Sequence, residues 1–158
     1  MIKSNNKINI LKRKQKGKHI IATYKDLFKS FDGYILYDIE ESDLIIGKLK
    51  EIVSKGVEKK NEFLNENVSF IESDLIRKTY LDLDDFSLSY LFTEDHIYCG
   101  IFLVKSKQAI EKILEITKLS EGKTSFLLDS NFEYSYTINY YDSNHNDFPN
   151  KFDIQRSF

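Results

Sequence analysis

Two stretches carry apolar residues at helical spacing, Ser42 to Lys55 and Ser106 to Leu119, and they stand among segments in which apolar and polar residues alternate. That switch of period argues against a wholly helical and a wholly β architecture, because each kind of element must turn its apolar side toward one shared core. In the first stretch Ile45, Leu49 and Ile52 share a face with Ile46 and Val53 beside them. Asp38 or Ser42 can cap its first turn, and Gly56 follows as a stop. In the second, Ile110, Ile113, Leu114 and Thr117 form the seam and Gly122 ends it.

Around these helices the pattern predicts strands at Asn9 to Lys12, His19 to Tyr24 and Tyr34 to Ile39. Glu58 to Asn67 can continue as a second helical segment around Phe63 and Leu64. Tyr80 to Phe92 alternates with one change of phase, which a β-bulge at Asp84-Asp85 would absorb. Ile97 to Val104 reads as a central strand, and Thr124 to Leu128 and Phe132 to Tyr141 close the series. The order implies an α+β fold, an antiparallel or mixed sheet with two or three helices packed mainly on one face. With 158 residues the chain is one domain, 1-158, with a basic N-terminal segment 1-18 and a polar C-terminal tail 142-158 that could dock through Phe148, Phe152 and Phe158.

Several chemistries are excluded by counting. The lone Cys99 rules out an internal disulfide and any multi-cysteine zinc site. Three histidines, His19, His96 and His145, are too few for a His-rich metal centre, and no phosphate-binding loop, nucleophile elbow or zinc-protease string occurs. If a strand begins at His96, then His96 and Cys99 point to opposite faces, and Cys99 reads as a small buried hydrophobe. Asp142, Asn144, Asn146, Asn150 and Asp153 fall at calcium-loop spacing, but Asp147 stands where the turn glycine belongs and Asp153 where the long glutamate belongs. That segment is expected to bind calcium weakly or not at all, so no cofactor, metal ligand or catalytic residue is assigned. No run approaches a membrane span and no signal-peptide core follows the basic start, which implies a cytoplasmic protein.

Charge is divided unevenly along the chain. Residues 1–18 hold seven basic side chains and no acid, whereas the remaining 140 hold 16 bases against 25 acids, a net charge of −9. The basic segment reads as a solvated tail or edge strand, or as an arm contacting a partner or, without sequence specificity, nucleic acid. Glu72, Asp74, Asp82, Asp84, Asp85, Glu94 and Asp95 place seven carboxylates within 24 residues, against only Arg77 and Lys78. Solvated surface accounts for many such runs. The functional reading is a docking face for a basic protein, with Asp82, Asp84, Asp85, Glu94 and Asp95 steering association and Tyr80 and Tyr90 as anchors.

A small acidic α+β protein with the LDLDD segment and no catalytic set resembles the immunity proteins of bacterial toxin and immunity pairs, including those of contact-dependent growth inhibition. The resemblance is one of size, acidity and composition. It implies a cytoplasmic protein that neutralises a cognate toxin domain, often a basic nuclease, by covering its active site. A calcium- or small-ligand-binding module, or a small enzyme whose site assembles only in three dimensions, remain the competing expectations.

Overall fold

Helix α5 (Ser106–Leu119) turns Ala109, Ile110, Ile113 and Ile116 inward, and all four are shut off from solvent. They pack on a seven-stranded sheet in a computed structural model that describes residues 2–142 and 150–158, with side chains described from Lys7 onward. The strands are β1 (Ile35–Tyr37), β2 (Lys59–Asn65), β3 (Leu88–Thr93), β4 (Ile101–Lys105), β5 (Thr124–Asp129), β6 (Ser135–Tyr141) and β7 (Lys151–Ser157). Their order is β1-β4-β3-β5-β6-β7-β2, and every neighbouring pair is antiparallel. With five α-helices among the described residues, the fold is α+β.

The core lies mainly on one side of the sheet. Leu91, Phe102, Val104, Leu127, Tyr136, Ile138, Phe152 and Ile154 face α5, the C-terminal half of α1 (Ile2–Phe28) and α3 (Asp74–Asp82). On the opposite side α2 (Ile39–Val53) lays Ile45, Ile46 and Leu49 over Phe92, Ile101 and Leu128. Of the two expected caps, α2 uses the earlier and starts at Ile39, ahead of the expected Ser42: the Asp38 carboxylate accepts the amides of Glu40 and Glu41, and the Glu41 carboxylate accepts the Asp38 amide.

Six expected segments are different. Asn9 to Lys12 and His19 to Tyr24 are not strands but parts of α1, a helix of 27 residues. The β-branched run Ile20-Ile21 favours a strand locally, yet Tyr24, Leu27 and Phe28 recur at helical spacing and Phe28 stacks on Phe102 at 4.1 Å between ring centres. The described part of the basic segment, residues 2–18, is therefore helical rather than a tail or edge strand. Glu58 to Asn67 is the site of β2 instead of a helix, because all seven of its residues pair with β7.

The Tyr80 to Phe92 stretch is not one bulged strand: α3 runs to Asp82, a loop follows, and β3 starts at Leu88. Ile97 to Val104 splits into a short helix α4 (His96–Cys99) and β4, divided by Gly100 at φ +85, where a Cβ would lie 2.2 Å from the Tyr37 carbonyl. Of the expected C-terminal tail 142-158, residues 143–149, with Phe148, lie outside the described residues, and Lys151–Ser157 is no tail but β7, which lies between β6 and β2 with Phe152 fully buried.

Two substitutions test this packing. Ile113→Ala should cost about 2–5 kcal/mol in urea unfolding with an unchanged slope, as expected for a cavity in a core that cannot collapse. Gly17 of α1 lies where a Cβ would come within 1.9 Å of the Tyr98 carbonyl of α4. Gly17→Ala should therefore lower the urea midpoint, despite alanine's better helix propensity, because α1 must move off α4.

Candidate protein-binding face

The loop from Leu83 to Ser87 is shaped by one carboxylate. Asp84 Oδ1 accepts the Phe86 amide at 2.7 Å and the Ser87 hydroxyl at 3.1 Å, an Asx turn that satisfies the loop's own donors. Its consequence is that Phe86 points outward and is 87% exposed. Leu81, in the last turn of α3, is 72% exposed, and Leu88 at the start of β3 is also uncovered. Asp82, Asp84 and Asp85 flank Phe86 along the chain, and all three are exposed. Asp85 accepts Lys107 Nζ at 2.9 Å, and the Tyr80 hydroxyl donates to Glu111 at 3.0 Å.

Beside the tip lies a cleft of about 350 Å³. Asp82, Leu83 and Leu88 form one wall, and Asp129, Asn131, Glu133 and Arg156 the other, with Thr79 and Tyr134 among the lining. Asp129 is buried and accepts the amides of Asn131 and Glu133, which ties the β5–β6 turn to it. Arg156 sits with its guanidinium 5.9 Å from the Tyr136 ring centre and donates from Nε to the Phe158 carbonyl. Beneath the cleft, the Tyr136 and Thr79 hydroxyls bond at 2.6 Å, and Ser89 joins Ser106 and Tyr134. These buried polar pairs fix α3 and α5 against the sheet.

The seven expected partner residues do not form one surface. Asp82, Asp84, Asp85 and Tyr80 are together at the α3–β3 loop. Glu94 and Asp95 follow β3 at its other end, about 20 Å away for a six-residue strand at ~3.3 Å per residue. Asp95 is buried and its carboxyl is held above the usual aspartate range by burial and by nearby Glu121. The Glu94 carboxylate lies over Gly122, where a Cβ would meet it at 2.0 Å. Tyr90 belongs to the α2 side of the sheet, packed on Tyr37 and Phe132, and burial raises its pKa. Of the earlier acids, Glu72 accepts the Ser69 amide at 2.6 Å and Asp74 opens α3.

Sequence reading placed Phe86 on a buried strand face and did not single out Asp129, Glu133 or Arg156. The signals for the loop were present: Ile76, Tyr80 and Leu83 recur at helical spacing, and Asp84 with Ser87 is turn chemistry. The cleft had no local signal, because its walls come from segments some 50 to 70 residues apart.

Cys99 is buried, donates to the Asp95 carbonyl, and has its thiol pushed up to about 12 by desolvation. Its partner in the expected pair, His96, lies one turn away in α4 rather than along a strand, with Nδ1 2.9 Å from the Thr93 carbonyl. Within the calcium-like segment, 143–149 falls outside the described residues, and Asp153 sits in mid-strand opposite Asn139 and Phe63. Among the described residues no group of three His, Cys, Asp or Glu side chains could hold a metal ion, and no helix is long and apolar enough to cross a membrane. Comparison with known families, curated proteins and solved structures finds no match to this chain.

The two loop-end aspartates should titrate in opposite directions. The Phe86 amide, followed by Ser87, holds the Asp84 carboxyl below the ordinary value of 3.8, so the turn is intact above that pH and loosens as pH falls through the folded value. Asp95 shifts upward, so its ionisation above pH 3.8 opposes folding. In an NMR titration Asp84 should have its midpoint below 3.8 and move the Phe86 amide resonance with it, while Asp95 should have its midpoint above 3.8. Coincident midpoints would contradict the placement of both side chains.

Proposed function

We propose that the protein is an immunity protein that neutralises a cognate toxin domain in the cytoplasm, of the kind found in contact-dependent growth inhibition systems, and that it docks through the α3–β3 loop. The observation that carries this reading is Phe86, 87% exposed on a loop held by Asp84 and flanked along the chain by Asp82, Asp84 and Asp85. Isolated exposed apolar residues are ordinary on any surface. A phenylalanine presented on a loop whose backbone is already held by its own hydrogen bonds, with Leu81 and Leu88 exposed on the flanking elements, is an anchor that requires little ordering of the loop on binding.

The flanking carboxylates set the sign of the partner. A nuclease site built to attract phosphate presents lysine and arginine, and the three aspartates draw it in while the apolar tip supplies the desolvated centre. The cleft walled by Asp129 and Glu133 gives one long basic side chain of the toxin a recess. In this arrangement Glu94, Asp95 and Tyr90 contribute steering or structure and not contact.

Phe86→Ala should leave stability within about 0.5 kcal/mol, being a surface change, and weaken the complex with the toxin domain of the adjacent gene about 30-fold or more in calorimetric titration, the weight of a hot spot. Reversing Asp82, Asp84 and Asp85 to lysine should slow association and reduce its salt dependence. Glu94→Lys, at the far end of β3, should change affinity by less than about threefold, as expected of a charge away from the interface. Wild-type affinity in Phe86→Ala together with loss in Glu94→Lys would place the interface elsewhere.

A further inference from the structure

Helix α1 carries a charge arrangement of which the fold uses only part. Its first acid is Asp26, and residues 1–25 hold eight lysines and arginines. At 100° per residue, Lys7, Lys14, Lys18 and Lys25 fall within an arc of about 40°, a single row about 27 Å long at 1.5 Å per residue. All four are exposed, and the row flanks the packed side of the helix, about 60–160° round the axis from Gly17, Tyr24, Leu27 and Phe28. Only Lys14 has an ion pair, to Asp38 at 3.4 Å; Lys7, Lys18 and Lys25 have none among the described residues.

Lys14, through its pair with Asp38, is the one row residue that also serves the fold; the others that do so lie off the row. Arg13 donates to the Ile97 carbonyl and to both oxygens of Asp43, and Lys16 covers the Tyr98 ring at 4.0 Å. The row itself works against its helix. Lys14 and Lys18 repel one turn apart, and no acid lies in the first turn to complement the helix dipole. Such a local conflict is expected where a surface is kept for a ligand of opposite charge.

We propose that this row is a binding face for the phosphate backbone of duplex nucleic acid, without sequence specificity. A straight line of cations about 27 Å long matches about eight base pairs of phosphates at ~3.4 Å per step, and lysine is a point-charge phosphate ligand. A bilayer fits less well, because an interfacial helix needs a broad apolar side next to its charged one. On α1 the large apolar residues exposed to solvent are Ile8 and Leu11, while Tyr24, Leu27 and Phe28 are committed to the core. The acidic body repels phosphate, so contact is confined to the helix and no base-reading element reaches a groove.

The test is fluorescence-anisotropy titration of the full-length chain with mixed-sequence duplex DNA about 30 base pairs long. About four phosphate contacts predict a slope near −3.5 in log K against log salt, a loss on the order of 100-fold between about 50 and 200 mM. Changing Lys7, Lys14, Lys18 and Lys25 to glutamine should abolish measurable binding with circular dichroism retained, and changing the same four to arginine should preserve it. The charge-matched control at Lys55, Lys59, Lys60 and Lys78, all exposed, should bind as wild type. Equal loss in that control, no binding by the wild type, or tighter binding to anionic vesicles or polyglutamate than to duplex would each overturn the proposal. None of these outcomes depends on the toxin-binding reading.

Discussion

The pairing of the last strand, β7, with both β6 and β2 is the constraint on which the rest of the molecule hangs. Strand β2 has no other strand partner, and β7 takes up all seven of its residues. Closing a loop of roughly 90 residues costs only logarithmically more than closing a short one. Burial of Leu64 opposite Phe152, and of Ile154 opposite Ile138, offsets that cost. Once β2 is fixed it places α3, because Glu62 accepts the Leu75 amide at 2.9 Å. Strand β6 adds the second hold, its Tyr136 hydroxyl reaching Thr79 and the Leu75 carbonyl. The exposed tip at Phe86 therefore stands on a helix anchored from two strands.

Much of the architecture was legible where local preference and tertiary packing agree. Helix α2 has its cap, its acidic first turn and its apolar spacing in one contiguous stretch, and α5 shows a seam of isoleucines that the core buries. Strand β6 alternates in sequence because one face, with Tyr136 and Ile138, meets the core under α5. The failures fall where a distant partner decides. Nothing within Lys59 to Asn65 announces a strand, since lysine, asparagine and glutamate are poor strand formers; β7 supplies the reason, and it lies at the far end of the sequence. In α1 the adjacent isoleucines suggested alternation, and only the contacts of Tyr24 and Phe28 with Phe102 reveal the helical register.

The candidate face was half legible for a related reason. Grouping acids by closeness in sequence treats them as one surface, but a strand carries its ends apart at ~3.3 Å per residue. Asp82, Asp84 and Asp85 precede β3, whereas Glu94 and Asp95 follow it, so one acidic run becomes two features with different environments. Side-chain duties separate them further. Glu72 satisfies a backbone amide and Asp95 sits in the interior, while Asp84 makes the turn that exposes an aromatic ring. Composition could rank the region as acidic; only the helix-to-strand transition shows which apolar residues the acids flank.

Opposite charge on one chain would ordinarily be expected to collapse onto itself, with the basic segment neutralised by the acidic body. The structure uses only part of that attraction. Arg13 and Lys14 pair with Asp43 and Asp38, near the start of α2, and this docks the middle of α1. Lysines on the outer side of the helix are left in water, where screening within ~8 Å at physiological ionic strength limits their pull on acids elsewhere. On the two proposals above, a polyanion would meet its complementary charge along α1 and a basic partner at the acidic loop. Two charge fields kept apart in this way would let a single small domain discriminate between polyanion and polycation, because the wrong partner at each surface would meet like charge.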